Sequence, residues 1–133
     1  MSIIGPVKSI ILELEKAPFD FHLTGSRFFG GALPNSDWDF FAENNDSIIV
    51  FLRELGFKVL TEGYKDDPQV AVVYRHNDGI DVQLTDHIVL KKDAQKYIYQ
   101  SGVLRRRVSK HAARLVWQFV YHILVNHTGL IIE

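Results

Sequence analysis

The sequence contains no cysteine, which excludes a disulfide framework and any metal site built from thiolates. Its N-terminus lacks the charged-then-apolar pattern of a secretory signal peptide. The most apolar stretch, residues 115–125, is interrupted by Gln118 and His122 and is too short to span a bilayer. We therefore expect a cytoplasmic protein without a membrane segment.

The length and the charge distribution set further bounds. The chain has 133 residues, of which 47% are hydrophobic, and this predicts one domain over 1–133 with a real core. Residues 1–87 carry 7 Lys and Arg against 14 Asp and Glu, whereas residues 88–133 carry 8 against 2. The basic C-terminal part indicates either a polyanion-binding surface or a solvated helix face, and the pattern leaves both open.

Hydrophobic periodicity and turn signals predict ten elements along the chain. The predicted helices cover 6–16, 27–31, 48–55, 88–101 and 104–125, and the predicted strands cover 19–23, 37–42, 57–60, 70–75 and 80–84. This order predicts an α+β domain with a mixed sheet and helices packed mainly on one face. The sheet-forming core spans about 19–85, and a C-terminal helical part spans about 88–126.

Two acidic residues flank Trp38 on one predicted strand. Asp37 and Asp39 stand at i and i+2, so their side chains point to the same face, while Trp38 and Phe40 point into the core. Carboxylates placed this close repel each other unless a cation lies between them, and hard oxygen ligands suit Mg²⁺ or Mn²⁺. An Asp-x-Asp pair alone is more often a solvated surface.

A third acidic residue follows the same logic on a later strand. Asp81 alternates with the apolar residues Ile80, Val82 and Leu84, so its strand has one polar and one apolar face. If this strand lies beside the first, the three carboxylates converge and could hold two metal ions about 4 Å apart, as phosphoryl transfer requires.

The segment before these acids contains a turn that could bind phosphate. Gly25 and Ser26 stand where a predicted strand passes into a helical turn, where backbone N–H groups are free and negative charge is favoured. Gly25 permits close approach, Ser26 adds a hydroxyl donor, and Arg27 could pair with a triphosphate. A Gly-Ser dipeptide by itself is an ordinary turn.

Together these motifs resemble the signature of the DNA polymerase beta-like nucleotidyltransferase superfamily. The likeness consists of Gly25-Ser26, then Asp37-x-Asp39 followed by a hydrophobic residue, and a later hydrophobic-Asp81-hydrophobic triplet. Gly30 and the Ser36-Asp37 pair also look like the small, minimal members. The resemblance covers about residues 19–85 and implies a nucleotidyltransferase fold. The bulky Phe28-Phe29 pair departs from the small residues usual there, which puts the nucleotide preference in doubt.

The resemblance implies a role for each matching residue. Gly25 and Ser26 would hold the terminal phosphates of an NTP, with ATP the first choice, and Asp37, Asp39 and Asp81 would bind the metal ions. Asp81 would also help to deprotonate an acceptor hydroxyl on a protein, an RNA 3′ end or a small molecule. The minimal members often pair with an HEPN-type partner, which favours a protein acceptor.

Three functional hypotheses follow. The first is a Mg²⁺-dependent enzyme that transfers a nucleoside monophosphate, the second is an idle module of the same fold that regulates a partner, and the third is an RNA-binding protein. The third would use Arg105, Arg106, Arg107, Lys110 and Arg114, which lie at the start of the last predicted helix. His22 stands close enough to the Gly-Ser turn in sequence to approach the site.

The last predicted helix is apolar on almost every side. Trp117, Tyr121 and Leu124 share one face of it. That face can bury either in the core of the chain or against a second subunit, and we expect a homodimer formed through it.

Overall fold

The computed structural model describes residues 8–64 and 67–128 and confirms the α+β class with a mixed sheet. The elements in chain order are α1 (Ser9–Lys16), β1 (His22–Thr24), α2 (Ser26–Phe29), β2 (Trp38–Glu43), α3 (Asp46–Glu54), β3 (Lys58–Thr61), β4 (Val72–His76), β5 (Ile80–Thr85), α4 (Ile88–Ser101) and α5 (Lys110–Thr128). Pro6 and Gly129, which were predicted to begin the first helix and to follow the last one, lie outside the described residues.

The five strands form one sheet in the order β1-β2-β5-β4-β3. The central neighbours β2 and β5 run parallel, and the other three pairings are antiparallel. The hairpin between β4 and β5 turns at residues 77–79, as the Asn-Asp-Gly sequence predicted. Placing β5 beside β2 brings together two strands that lie about 40 residues apart in sequence.

One face of the sheet is covered by α1 and α3. Phe40 is buried on this face and Trp38 packs at its edge, as the alternation predicted. Asn45 caps α3, since its side chain accepts a hydrogen bond from the backbone N–H of Ile48 at 2.9 Å. The buried members of this core are Ile11, Leu14, Phe40, Ala42, Ile48, Leu52, Phe57, Tyr74, Ile80, Val82 and Leu84.

The opposite face is also covered, which corrects the expectation that helices pack mainly on one side. Phe41 and Thr85, which point to that face, have no exposed surface. The Lys91 ammonium of α4 lies 5.6 Å from the centre of the Phe41 ring, and Gln95 donates to the carbonyl of Leu23 at 2.9 Å. The alternating polar residues of β5 suggested an open face, but α4 and α5 lie over it.

A second apolar core joins α2, α4 and α5. Its buried members are Phe29, Leu90, Ala94, Ile98, Leu104, Trp117, Tyr121 and Leu124. The helix face of Trp117, Tyr121 and Leu124 is thus buried inside the chain itself, which is the first of the two alternatives, and it offers no surface to a second subunit. The homodimer stays a prediction without this basis. None of the helices within the described residues is both long enough and apolar enough to cross a membrane.

The last helix begins at Lys110, six residues later than predicted. Ser109 caps it, since its hydroxyl accepts from the N–H of Ala112 at 3.1 Å. The arginines at 105–107 therefore precede the helix and share no helical face with Lys110. Their backbone packs against Gly30 and Gly31, where an added Cβ would lie 2.3 Å and 2.6 Å from backbone atoms of Arg105 and Arg107, respectively.

Candidate active site

The structure places Asp39 directly opposite Asp81. The two are register partners in the parallel pair β2 and β5. Register partners point to the same face of a sheet, and neighbouring strands lie about 4.8 Å apart. Two of the three predicted carboxylates therefore lie side by side although they come from separate strands.

Asp37 is linked to Asp81 by Arg75, a residue that the sequence analysis did not single out. Arg75 on β4 is the register partner of Asp81, and its Nη1 lies 2.9 and 3.0 Å from the two oxygens of Asp81. The same atom lies 3.3 Å from Oδ2 of Asp37. The signal for Arg75 was present, because pairing the two strands across the predicted turn at 77–79 puts residue 75 opposite residue 81.

Asp39 and Asp81 differ in burial, in pKa and in ion pairing. Burial, with the nearby charges of Asp81 and Asp37 acting in the same direction, raises the pKa of Asp39 to about 7. Burial also raises the pKa of Asp81, although Arg75 opposes that shift. Within the described residues Asp39 makes no ion pair. The cluster therefore holds more negative charge than Arg75 neutralises.

The Gly-Ser turn lies against the carboxylates. Thr24 pairs with Asp39 across β1 and β2, and Gly25 follows with a φ of +70°. A Cβ at Gly25 would lie 2.6 Å from Oδ2 of Asp39, well inside van der Waals contact, so a larger residue would force that carboxylate to shift, at a backbone angle that already favours glycine. Ser26 is the first residue of α2. The predicted phosphate-binding turn and the predicted metal ligands are thus direct neighbours.

Arg27 makes contacts different from the phosphate contacts expected of it. Its guanidinium donates to the backbone carbonyls of Ser36 at 2.7 Å and of Pro34 at 3.1 Å. It also stacks on Trp38, 4.2 Å from the ring centre. These contacts hold the loop that leads into Asp37, and phosphate binding by Arg27 stays a prediction.

One basic residue of α5 and one tyrosine are electrostatically linked to the carboxylates. The positive charge of Lys110 lowers the pKa values of Asp39 and Asp81 against the larger effect of burial, which raises them. Arg114 lies 5.2 Å from the ring centre of Tyr64. Burial raises the pKa of the Tyr64 hydroxyl, and the charges of Asp39 and Asp81 add to this. The charge of the basic segment therefore reaches the site through Lys110, and Tyr64, which stands in a polar loop, gave no signal in the sequence.

His22 lies away from this cluster. Its ring packs on Phe41 with centroids 5.0 Å apart, and burial together with the charge of Lys92 lowers its pKa. It borders a separate cleft of about 230 Å³ between β1 and the start of α4. The structure thus gives His22 a place in the packing of β1 and brings it no closer to the carboxylates.

A larger cleft opens beside Asp37. Its volume is about 360 Å³, and Asp37, Trp38 and Arg27 lie on one side of it. Its other lining residues are Lys8, Pro34, Asn35, Ser36, Asn77, Asp78 and Gly79. This cleft gives a small molecule access to one edge of the carboxylate cluster.

The donor chemistry fits a divalent cation, although the side chains are not arranged as a closed metal site. No three acidic or histidine side chains among residues 8–64 and 67–128 are placed to hold a metal ion. The guanidinium of Arg75 is a stand-in cation between Asp37 and Asp81. The carboxylates supply hard oxygen donors of the kind that Mg²⁺ and Mn²⁺ bind, and one guanidinium balances only part of their charge.

Comparisons of the chain with protein-family models, with curated proteins and with solved structures give no match. The resemblance to nucleotidyltransferases therefore rests on the residues and their geometry alone.

Proposed function

We propose that this protein is a nucleotidyltransferase that moves a nucleoside monophosphate from an NTP, ATP most readily, to an acceptor hydroxyl. The observation that supports this best is the position of Gly25 against Asp39, with Asp39 in register beside Asp81. Phosphate groups and divalent cations bind together, so a phosphate-binding turn next to paired carboxylates is the arrangement such a reaction needs.

The reaction forms one bond and breaks one. The acceptor oxygen attacks the α-phosphorus, the bond from that phosphorus to the bridging oxygen breaks, and pyrophosphate leaves. When bound, a divalent cation held by Asp37, Asp39 and Asp81 would supply charge stabilisation for the attacking and leaving oxygens. Asp81 would help to take the hydroxyl proton, and Gly25 and Ser26 would hold the terminal phosphates through backbone N–H and hydroxyl groups.

The basic border of the site suits an anionic substrate. A triphosphate entering beside three carboxylates needs positive charge, and the charge of Lys110 on α5 already acts on Asp39 and Asp81. This favours substrate binding over a separate RNA-binding surface as the role of Lys110. A hydroxyl on a partner protein stays our first choice of acceptor.

The decisive experiment measures Mg²⁺ and ATP binding together with transfer. We expect the melting temperature to rise only when both are present, and labelled ATP to modify a species in host lysate. Asp39→Asn should abolish transfer while the chain stays folded, whereas Asp20→Asn, an exposed acid away from the cluster, should leave transfer unchanged. Full transfer by Asp39→Asn would refute the assigned role.

The second candidate is an idle module of the same fold, and one specific observation favours it. Arg75 already forms ion pairs with Asp37 and Asp81, which reduces the need for a metal ion. Absence of any Mg²⁺ or NTP effect on melting, together with retained partner binding, would support this candidate over the first.

A further inference from the structure

The contact between Arg75 and the carboxylates uses the atoms that a metal ion would need. Nη1 of Arg75 lies 2.9 and 3.0 Å from both oxygens of Asp81, and 3.3 Å from Oδ2 of Asp37. A divalent cation bound by these carboxylates would need the same lone pairs. The guanidinium and a metal ion therefore compete for one set of oxygens.

The two partners differ in how firmly the fold holds them. The side chain of Asp81 is 9% exposed, whereas that of Arg75 is 37% exposed. The carboxylate is fixed at the centre of the sheet, but the guanidinium lies at the rim with solvent on one side. When a stronger cation arrives, Arg75 is the partner that can move.

Arg75 stands in a row of charged side chains that crosses the sheet. Register places Asp39, Asp81, Arg75 and Lys58 side by side on β2, β5, β4 and β3. The charge along this row changes from negative to positive between Asp81 and Arg75. A guanidinium released from Asp81 remains next to the site, where its forked donors can bind a phosphate.

We propose that Arg75 is an internal competitor for the cation site, holding Asp37 and Asp81 until a divalent ion displaces it. This inference rests on the proposed function, because it concerns the affinity of that same site. Displacement couples the two ligands: the released guanidinium becomes available for the phosphates of the nucleotide, so cation and NTP bind more tightly together than separately.

The test measures Mn²⁺ binding to the full chain without nucleotide, by the loss of the electron paramagnetic resonance signal of free Mn²⁺. Arg75→Met removes the charge while keeping a long side chain. We expect it to bind Mn²⁺ about tenfold more tightly than the unmodified chain, as the loss of one charge-assisted contact implies. Lys58→Met, the matched control from the same row, should stay within about twofold. The double variant Arg75→Met with Asp39→Asn should bind Mn²⁺ no more tightly than the unmodified chain.

A second variant covers the case in which Arg75→Met does not fold. Arg75→Lys keeps the positive charge but loses the planar guanidinium that can donate to two oxygens at once. It should therefore bind Mn²⁺ with an affinity between those of the unmodified chain and Arg75→Met. Circular dichroism establishes that each variant is folded before titration. Equal affinity in the unmodified chain and both Arg75 variants would overturn the inference.

The outcomes separate this inference from the proposed function. Equal binding of Mn²⁺ by the unmodified chain and Arg75→Met overturns the competition but leaves a metal-dependent enzyme intact. Binding only by Arg75→Met, with no rise in the melting temperature of the unmodified chain when Mg²⁺ and ATP are added together, supports the competition and refutes catalysis by the natural chain, which would then be the idle module. Binding by neither protein overturns the competition, and the melting experiment with Mg²⁺ and ATP together then decides the proposed function.

Discussion

Lys91 and Asp67 form an ion pair in the interior, with Nζ 3.1 Å from Oδ2. Lys91 is 1% exposed, and its ammonium also donates to the hydroxyl of Tyr121 at 3.0 Å. Burial lowers the pKa of Lys91, and Asp67 opposes that shift. The pair ties α4, α5 and the segment after β3 to one another, and that segment also carries Tyr64 beside the carboxylates.

We expect Lys91→Met to destabilise the fold by about 3–5 kcal/mol, because it leaves the buried Asp67 without its cation. Urea denaturation followed by circular dichroism measures this. The double variant Lys91→Met with Asp67→Asn should lose less stability, since the amide oxygen of the new asparagine can still accept a hydrogen bond from the Tyr121 hydroxyl. Lys92→Met, the exposed neighbour, is the control and should change stability by less than about 0.5 kcal/mol. A double variant less stable than the single one would contradict this account.

Asp39 gives a pH dependence with a definite sign. Its pKa in the fold is about 7, above its ordinary value of 3.8, so the folded state binds this proton more tightly than the unfolded state does. In metal-free buffer its contribution to stability is present below pH 4 and is lost as the pH rises to about 7. Asp39→Asn removes that loss and should be more stable than the unmodified chain by about 1–3 kcal/mol at pH 8, with little difference at pH 4. Thermal melts in EDTA across this range check the prediction, and a gap that does not grow with pH would contradict it.

Gly25→Ala tests the close packing of the turn on Asp39. Gly25 and Gly63 both have positive φ, of +70° and +82°, so alanine costs backbone strain at either position. Only at Gly25 does the new Cβ also meet a carboxylate oxygen, at 2.6 Å, while at Gly63 the nearest atom is 3.6 Å away. We expect Gly25→Ala to cost about 1–3 kcal/mol more than Gly63→Ala in chemical denaturation. An equal loss of unfolding free energy in the two variants would mean that the turn is not closely packed on Asp39.

Lys110 should contribute to anion binding at the site. Lys110→Gln removes a positive charge that lowers the pKa values of Asp39 and Asp81. We expect it to weaken ATP binding in the presence of Mg²⁺ by about three- to tenfold in calorimetric titrations, with the difference shrinking at high salt. The control is Lys92→Gln on α4, which borders the separate cleft near His22 and should leave ATP binding unchanged.

Local patterns predicted much of the sheet and the placing of its acids. Alternation of apolar residues identified β2 and β5, and the Asn-Asp-Gly turn identified the hairpin that carries Arg75. Strand alternation likewise assigned Trp38 and Phe40 to the core. These features depend on neighbours within a few residues, where side-chain direction follows directly from backbone geometry.

Features that depend on long-range packing were not predictable in the same way. Lys91 stands on an amphipathic helix where a lysine normally faces solvent, and its burial follows from α5 and Asp67 arriving from elsewhere. The start of α5 was placed too early because the leucine at 104 suits a helix, yet it packs into the second core ahead of the helix. Tyr64 follows β3 in a polar loop, and its electrostatic link to Asp39 and Asp81 arises only in the folded chain.

The contact of Gly30 and Gly31 with the backbone at 105–107 has a consequence for the smallest piece of this chain that can fold. The part that looks like a nucleotidyltransferase ends near residue 85, but Phe29, just before those glycines, is buried by side chains from α4 and α5. A fragment cut after β5 would leave that aromatic ring in water and the turn beside Asp39 without its support. The last forty or so residues are therefore structural partners of the first motif and not an appendage to it.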